Sequence, residues 1–163
     1  MTDPASPLEP PADPSRWKLP RIRVTRDGEW LHEGEEVSHP GILSSLRDGL
    51  RVDDAGHYVE VGPVRVPVEV DDAPFVVVRV EREGTGLVLT LDDLSREALD
   101  VATLSFGADG VPHCRVKQGR FLGRWSRAAT HQLLALVEPG TPPVLVLGSA
   151  RHPLAGYVER EPG

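Results

Sequence analysis

The chain has 163 residues, with 18 Lys+Arg against 25 Asp+Glu, 16 Gly, 16 Pro and one Cys. One cysteine excludes an internal disulfide or a Cys-rich zinc site, so a stapled secreted scaffold does not fit. The longest apolar runs, 74–78 and 142–147, are too short to cross a bilayer, and a formal net charge of -7 opposes a general nucleic-acid coat. No basic-then-apolar leader opens the sequence, which predicts a cytoplasmic protein without a membrane segment.

Residues 1–20 carry prolines at 4, 7, 10, 11, 14 and 20 and few large apolar side chains, so they read as a disordered Pro-rich tail. From Arg21 the period becomes two, with Ile22 and Val24 on one face and Arg21, Arg23 and Thr25 on the other. Asp27-Gly28 is a hairpin turn, because both residues tolerate positive φ, and a strand returns over 29–33. Ser38 is placed to cap a helix with Pro40 in its first turn. Ile42, Leu43, Leu46 and Leu50 share one side of it, and it ends near Gly49.

Strands resume over 57–61, and Gly62-Pro63 turns the chain into 64–70, where four valines alternate with Arg65, Pro67 and Glu69. Pro67 donates no hydrogen bond, which predicts an edge strand or a bulge. The next hairpin joins 75–81 to 87–91 around Gly84 and Gly86, and Val76-Val77-Val78 suits a strand covered on both faces.

The second half reads as an echo of the first. Strands over 101–106 and 111–116 flank a turn at Gly107–Gly110, and a further strand or loop spans 119–123. Ser126 caps a second helix carrying Ala129, Leu133, Leu136 and Val137 on one face, Pro139-Gly140 stops it, and 144–147 is a last strand. Both halves contain Asp-Gly followed by His, at Asp27/His32 and Asp109/His113. The expected architecture is α+β: two related antiparallel β-rich lobes, each packing one short helix, over 21–92 and 93–163.

Arg26-Asp27-Gly28-Glu29-Trp30 with Glu33-Gly34, and Val70-Asp71-Asp72-Ala73-Pro74-Phe75, resemble the signature segments of a bacterial family, domain of unknown function 1285. The spacing to Tyr58 and Pro63 is similar too, and the likeness runs from Ile22 to Phe75 and more loosely to Leu154. It implies small cytosolic proteins with two structurally related β-rich lobes. No established activity comes with it, only a suggested role in signal transduction. Relatives tend to carry an arginine at the helix entrance where this chain has His39, so an anion-handling role for that arginine would not carry over.

Several polar groups are candidates for chemistry. His32, Glu33, Glu35, Glu36 and His39 are suitable metal donors, but a hairpin alternates them between faces, so they read as a solvated turn and no metal is expected. His113 and Cys114 are strand neighbours pointing to opposite faces, so Cys114 is expected to be a buried small apolar residue rather than a nucleophile. Asp71 and Asp72 read chiefly as turn-holding residues. The rival is a small hydrolase-like enzyme using Asp72 with a histidine brought near by folding, His57 or His113.

Charge is the strongest signal. From Gly110 to Val137 there is no acidic residue, yet Arg115, Lys117, Arg120, Arg124 and Arg127 all fall there, with Phe121 and Trp125 among them. Arginine forks suit phosphate or carboxylate. The reading that follows is a non-catalytic regulatory module without cofactor. It binds an anionic small molecule or an acidic protein surface through this stretch, with Trp125 as an apolar anchor. Internal pairing of the cations is the competing account, and five cations are a weak nucleic-acid footprint, so nucleic acid is an unlikely partner.

Overall fold

The computed structural model describes residues 18–107 and 109–154, so the expected tail lies outside the described residues apart from 18–20. The chain forms two compact units, Met1–Asp72 and Ala73–Gly163.

Unit 1 opens with a three-strand meander, β1 (Ile22–Val24), β2 (Trp30–His32) and β3 (Glu35–Glu36). The Asp27-Gly28 turn closes it, with Gly28 at φ 87° and its amide donating to the Thr25 carbonyl at 3.0 Å. Helix α1 (Pro40–Gly49) follows, then a second meander, β4 (Leu50–Asp53), β5 (Gly56–Val61) and β6 (Val64–Val70). The last strand returns to lie parallel to the first, Val24 level with Val70, giving the order β3-β2-β1-β6-β5-β4. Ile22, Val24, Trp30, Leu46, Leu50, Val59, Val66 and Val68 are buried.

Unit 2 repeats this plan. One meander is β7 (Phe75–Glu83), β8 (Gly86–Leu91) and β9 (Arg96–Ala98); the other is β10 (Ser105–Phe106), β11 (Pro112–Val116) and β12 (Phe121–Trp125). Their order, β10-β11-β12-β7-β8-β9, is the unit 1 order, again with first and last strands parallel, Val77 level with Trp125. Helix α2 (Arg127–Leu134) comes after β12, and a small sheet, β13 (Val137–Glu138), β14 (Val144–Leu147) and β15 (Ala150–Pro153), ends the unit.

The α+β architecture with two similar lobes thus stands, with four corrections. The hairpin 75–91 belongs to the second unit, because β7 pairs with β12; the division falls at Asp72/Ala73 rather than after residue 92. The helices are not equivalent. α1 joins the two meanders of unit 1, where unit 2 has only a 3-10 turn at Val101–Thr103 in place of part of the expected strand; α2 follows the second meander. The Asp-Gly echo is out of phase as well, since Asp27-Gly28 joins β1 to β2 whereas Asp109-Gly110 joins β10 to β11. Finally, α2 ends at Leu134, and Val137 lies in β13.

Pro67 is on an inner strand, not an edge. The β5 ladder ends at the Tyr58–Pro67 pair and the β1 ladder begins at Val68, so the missing N–H falls where one neighbour gives way to the other. Of the three valines after Phe75, Val76 and Val77 are buried, as expected of a covered strand, and Val78 is half-buried. Beyond Val77, α2 takes over from β12: the Ser126 amide donates to the Val77 carbonyl at 2.9 Å, and the Gln132 side chain accepts from the Val80 amide at 2.8 Å. Ala129 and Leu133 are fully buried.

His39, not Ser38, caps α1. Its Nδ1 accepts from the Gly41 and Ile42 amides at 3.1 and 3.3 Å, because the helix starts at Pro40 and Ser38 stands one residue too early. Replacing His39 by Ala removes this acceptor and should cost about 1 kcal/mol in urea unfolding, whereas Asn, a strong cap, should restore it. Equal stability of the two variants would show that the cap contributes nothing.

Candidate functional site

The structure separates the five cations of the basic stretch. β11 and β12 pair antiparallel, Arg115 opposite Leu122 and His113 opposite Arg124. Lys117 and Arg120 therefore lie in the turn at one end of the hairpin, and Arg127, the first residue of α2, lies beyond the other end.

Two cations are neutralised within the unit. Arg124 Nη2 reaches Asp109 Oδ2 at 3.2 Å, and its side chain is 15% exposed. Lys117 Nζ donates to Asp93 Oδ2 at 2.6 Å and to Ser95 Oγ at 2.9 Å, and lies 5.2 Å from the Phe75 ring centroid. The Lys117 amide also donates to the Glu97 carboxylate, at 3.0 and 3.2 Å to its two oxygens. Trp125 is no surface anchor. It is buried, with its indole N–H on Cys114 Sγ at 3.3 Å, because its strand position faces the core.

Arg115, Arg120 and Arg127 are exposed, and none has a carboxylate partner among the described residues. Arg120 is held by the turn itself, its Nε donating to the Lys117 carbonyl at 3.1 Å, with its guanidinium 5.9 Å from the Phe121 ring. Arg115 is on the outward face of β11, and its amide donates to Thr103 Oγ1.

The Lys117 contacts join two turns at one end of the sheet. The β11–β12 turn has positive φ at Lys117 (55°), Gln118 (61°) and Gly119 (78°), and the β8–β9 turn has it at Leu94 (70°). Such backbone costs roughly 1 kcal/mol or more per non-glycine residue and persists only where its surroundings over-determine it. Here Asp93 Oδ1 accepts from the Ser95 amide at 3.0 Å and the Ser95 hydroxyl at 2.5 Å, while Lys117 holds the other oxygen. Burial alone would raise the Asp93 carboxyl, but the bonds from Lys117 and Ser95 outweigh it and hold the pKa below its usual range. Asp93, Leu94, Ser95 and Glu97 were not among the residues singled out from sequence. Nothing in the local sequence couples residues 93–95 to residue 117.

Of the residues of the rival carboxylate–histidine reading, His57 lies near the start of β5 and Asp72 follows the end of β6. Tyr58 pairs with Pro67, so His57 stands one residue beyond the end of the β5–β6 ladder. Asp71 is committed to Arg23, whose Nε and Nη2 donate to its two oxygens at 2.8 Å each. His113 is buried, its Nδ1 3.0 Å from the Val111 carbonyl. Cys114 is buried as expected, and desolvation pushes its thiol up to about 11 despite the Trp125 hydrogen bond, so the nucleophilic thiolate is scarce at neutral pH. On the sheet of unit 1, Arg21 and Arg23 line a hollow of about 230 Å³, but Arg21 faces Glu69 at 3.6 Å and Arg23 is taken by Asp71. His39 is used as a cap and the Glu33 carboxylate accepts from the Arg21 amide. Among the described residues no three His, Cys, Asp or Glu side chains are grouped for a metal, and no helix is long and apolar enough to cross a membrane.

These features define a class: an α+β protein of two lobes, each a pair of three-strand meanders with parallel central strands. Two solved structures share the fold. A domain of unknown function 1285 family protein from Silicibacter pomeroyi matches with TM-score 0.69 and 23% identity, over 89% of this chain and 87% of that one. A second, from Shewanella baltica, matches with TM-score 0.61 and 18% identity, over 71% of this chain and 91% of that one. The fold is therefore that of domain of unknown function 1285 proteins, in agreement with the resemblance carried by residues 22–75. No protein-family model matches the sequence, and no curated protein does.

Two titrations follow from the site and the sheet. Asp93 has a depressed pKa, so its stabilisation is complete above the ordinary carboxylate value of about 4 and is lost as pH falls through the lower folded value. Asp93→Asn should cost about 2–3 kcal/mol at pH 7 and make urea midpoints flatter between pH 5 and 3 than in the wild type. A variant as stable as wild type would mean the clasp carries no stability.

Burial lowers the His57 pKa, so the unfolded chain takes up a proton first. Stability should therefore decline as pH falls below about 6.5, and His57→Gln should reduce that decline. An unaltered pH profile in the variant would refute the assignment.

Proposed function

We propose that this chain is a non-catalytic recognition module that binds an acidic protein partner through Arg115 and Arg120. The observation that carries the reading is the contrast within one stretch. Lys117 and Arg124 are matched to carboxylates, whereas Arg115 and Arg120 are exposed without one among the described residues. Arg120 is also oriented before any partner arrives, through the bond from its Nε to the Lys117 carbonyl, so less side-chain freedom is lost on docking. Guanidinium forks suit carboxylates, and cations of this kind act chiefly by steering and by selecting the sign of the partner. Arg127 stands apart beyond the far end of β12 and is not part of this surface. The role in signal transduction implied by the family resemblance fits a module of this kind.

The test uses poly-glutamate as the acidic probe and inorganic phosphate as a small anion, both read by calorimetry. The double variant Arg115→Glu/Arg120→Glu should lower poly-glutamate affinity by about tenfold or more at unchanged Tm, while Arg127→Glu changes it little. Binding that survives the double variant overturns the reading. Phosphate bound as tightly as poly-glutamate would replace the protein partner by a small anion.

A further inference from the structure

Leu94 is at the tip of the β8–β9 turn, with φ 70° and 80% of its surface exposed. Leucine is a poor choice there on two counts. Its Cβ crowds the backbone in the left-handed region that Asn or Gly tolerates, and its apolar side chain stands in water. The other exposed large apolar residues among those described, Leu19, Val52 and Leu134, are 43%, 42% and 37% exposed, and none has positive φ. Leu94 is the outlier in both respects.

The surrounding turn is braced. The Leu94 amide donates to the Leu91 carbonyl at 2.9 Å and the Leu91 amide to the Ser95 carbonyl at 2.9 Å. Both chain neighbours, Asp93 and Ser95, are tied to Lys117 Nζ. An apolar side chain is thus presented on a platform that does not need to order itself on contact, the property of a binding anchor. Arg120, bonded to the Lys117 carbonyl, lies on the adjoining turn.

We propose that Leu94 is the apolar anchor of a protein contact. It packs on the apolar stripe of an acidic amphipathic segment of the partner, whose flanking carboxylates meet Arg120. This rests on the recognition reading of Arg115 and Arg120, which supplies the sign of the partner's charge. The exposed leucine adds the apolar half, which a small anion would not require.

The probe is a synthetic amphipathic peptide of Glu and Leu, with a Gln-for-Glu version as control, followed by fluorescence anisotropy with the full chain. The wild type should prefer the acidic peptide. Leu94→Asn should weaken binding about tenfold and, by relieving the backbone, raise Tm by about 2–4 °C. A lowered Tm would show that Leu94 serves the fold and overturn the proposal. Undiminished binding by Leu94→Asn, with binding lost in Arg115→Glu/Arg120→Glu, would overturn the anchor and leave the recognition reading standing. Absence of acidic-peptide binding, or loss in neither variant, would overturn both. Wild-type self-association in sedimentation that Leu94→Asn abolishes would make the occupant a second copy and overturn the acidic-segment form.

Discussion

The ammonium of Lys117 holds one end of the second sheet together. It joins Asp93 and Ser95 in one turn to its own turn 24 residues later, while its amide takes the Glu97 carboxylate. Side chains that are 24% and 17% exposed sit in a medium where such a pair is stronger than at a free surface, yet losing either partner would strand a charge. The left-handed residues Leu94, Lys117 and Gln118 all lie in the two turns that this contact joins. The same contact commits one cation of the basic stretch, Lys117, to a carboxylate of its own unit. It thereby decides which charges are left to face a partner.

The repeated topology sets where those turns fall. In both units two meanders meet through parallel strands, so the chain must cross between the outer strands of the sheet before it can begin the second meander. Unit 1 makes that crossing with α1, unit 2 with a 3-10 turn. The helix of unit 2 is instead free to follow β12, where Ser126 and Gln132 bond the Val77 carbonyl and the Val80 amide of β7. Two copies of one strand plan thus present different surfaces, and Arg115 and Arg120 lie on the copy whose helix lies outside the meanders.

Much of the fold was legible locally. Asp27-Gly28, the valine alternation over 64–70, Ser126 before α2 and the burial of Cys114 each follow from properties of one residue or a short run: tolerance of positive φ, a period of two, a capping hydroxyl, a small apolar side chain. The misplaced features are those settled by partners distant in the chain. Pro67 suggested an edge because a missing donor is usually harmless only there; its inner position works because two ladders share the strand end to end. Trp125 looked like an anchor among arginines, and the alternation of β12 turned it inward beside Cys114.

By itself, the sequence determined the longer strand segments, most of the turns, the two helices and the concentration of cations without acids in residues 110–137, because each depends on backbone preferences and side-chain periodicity over a few positions. Only the tertiary structure decided which cations remain exposed. An ion pair depends on which carboxylate a strand register brings within a few ångströms, and Asp93 and Asp109 reach Lys117 and Arg124 through pairings that no local pattern encodes. The same holds for the division at Asp72/Ala73, which rests on β7 choosing β12 as its neighbour.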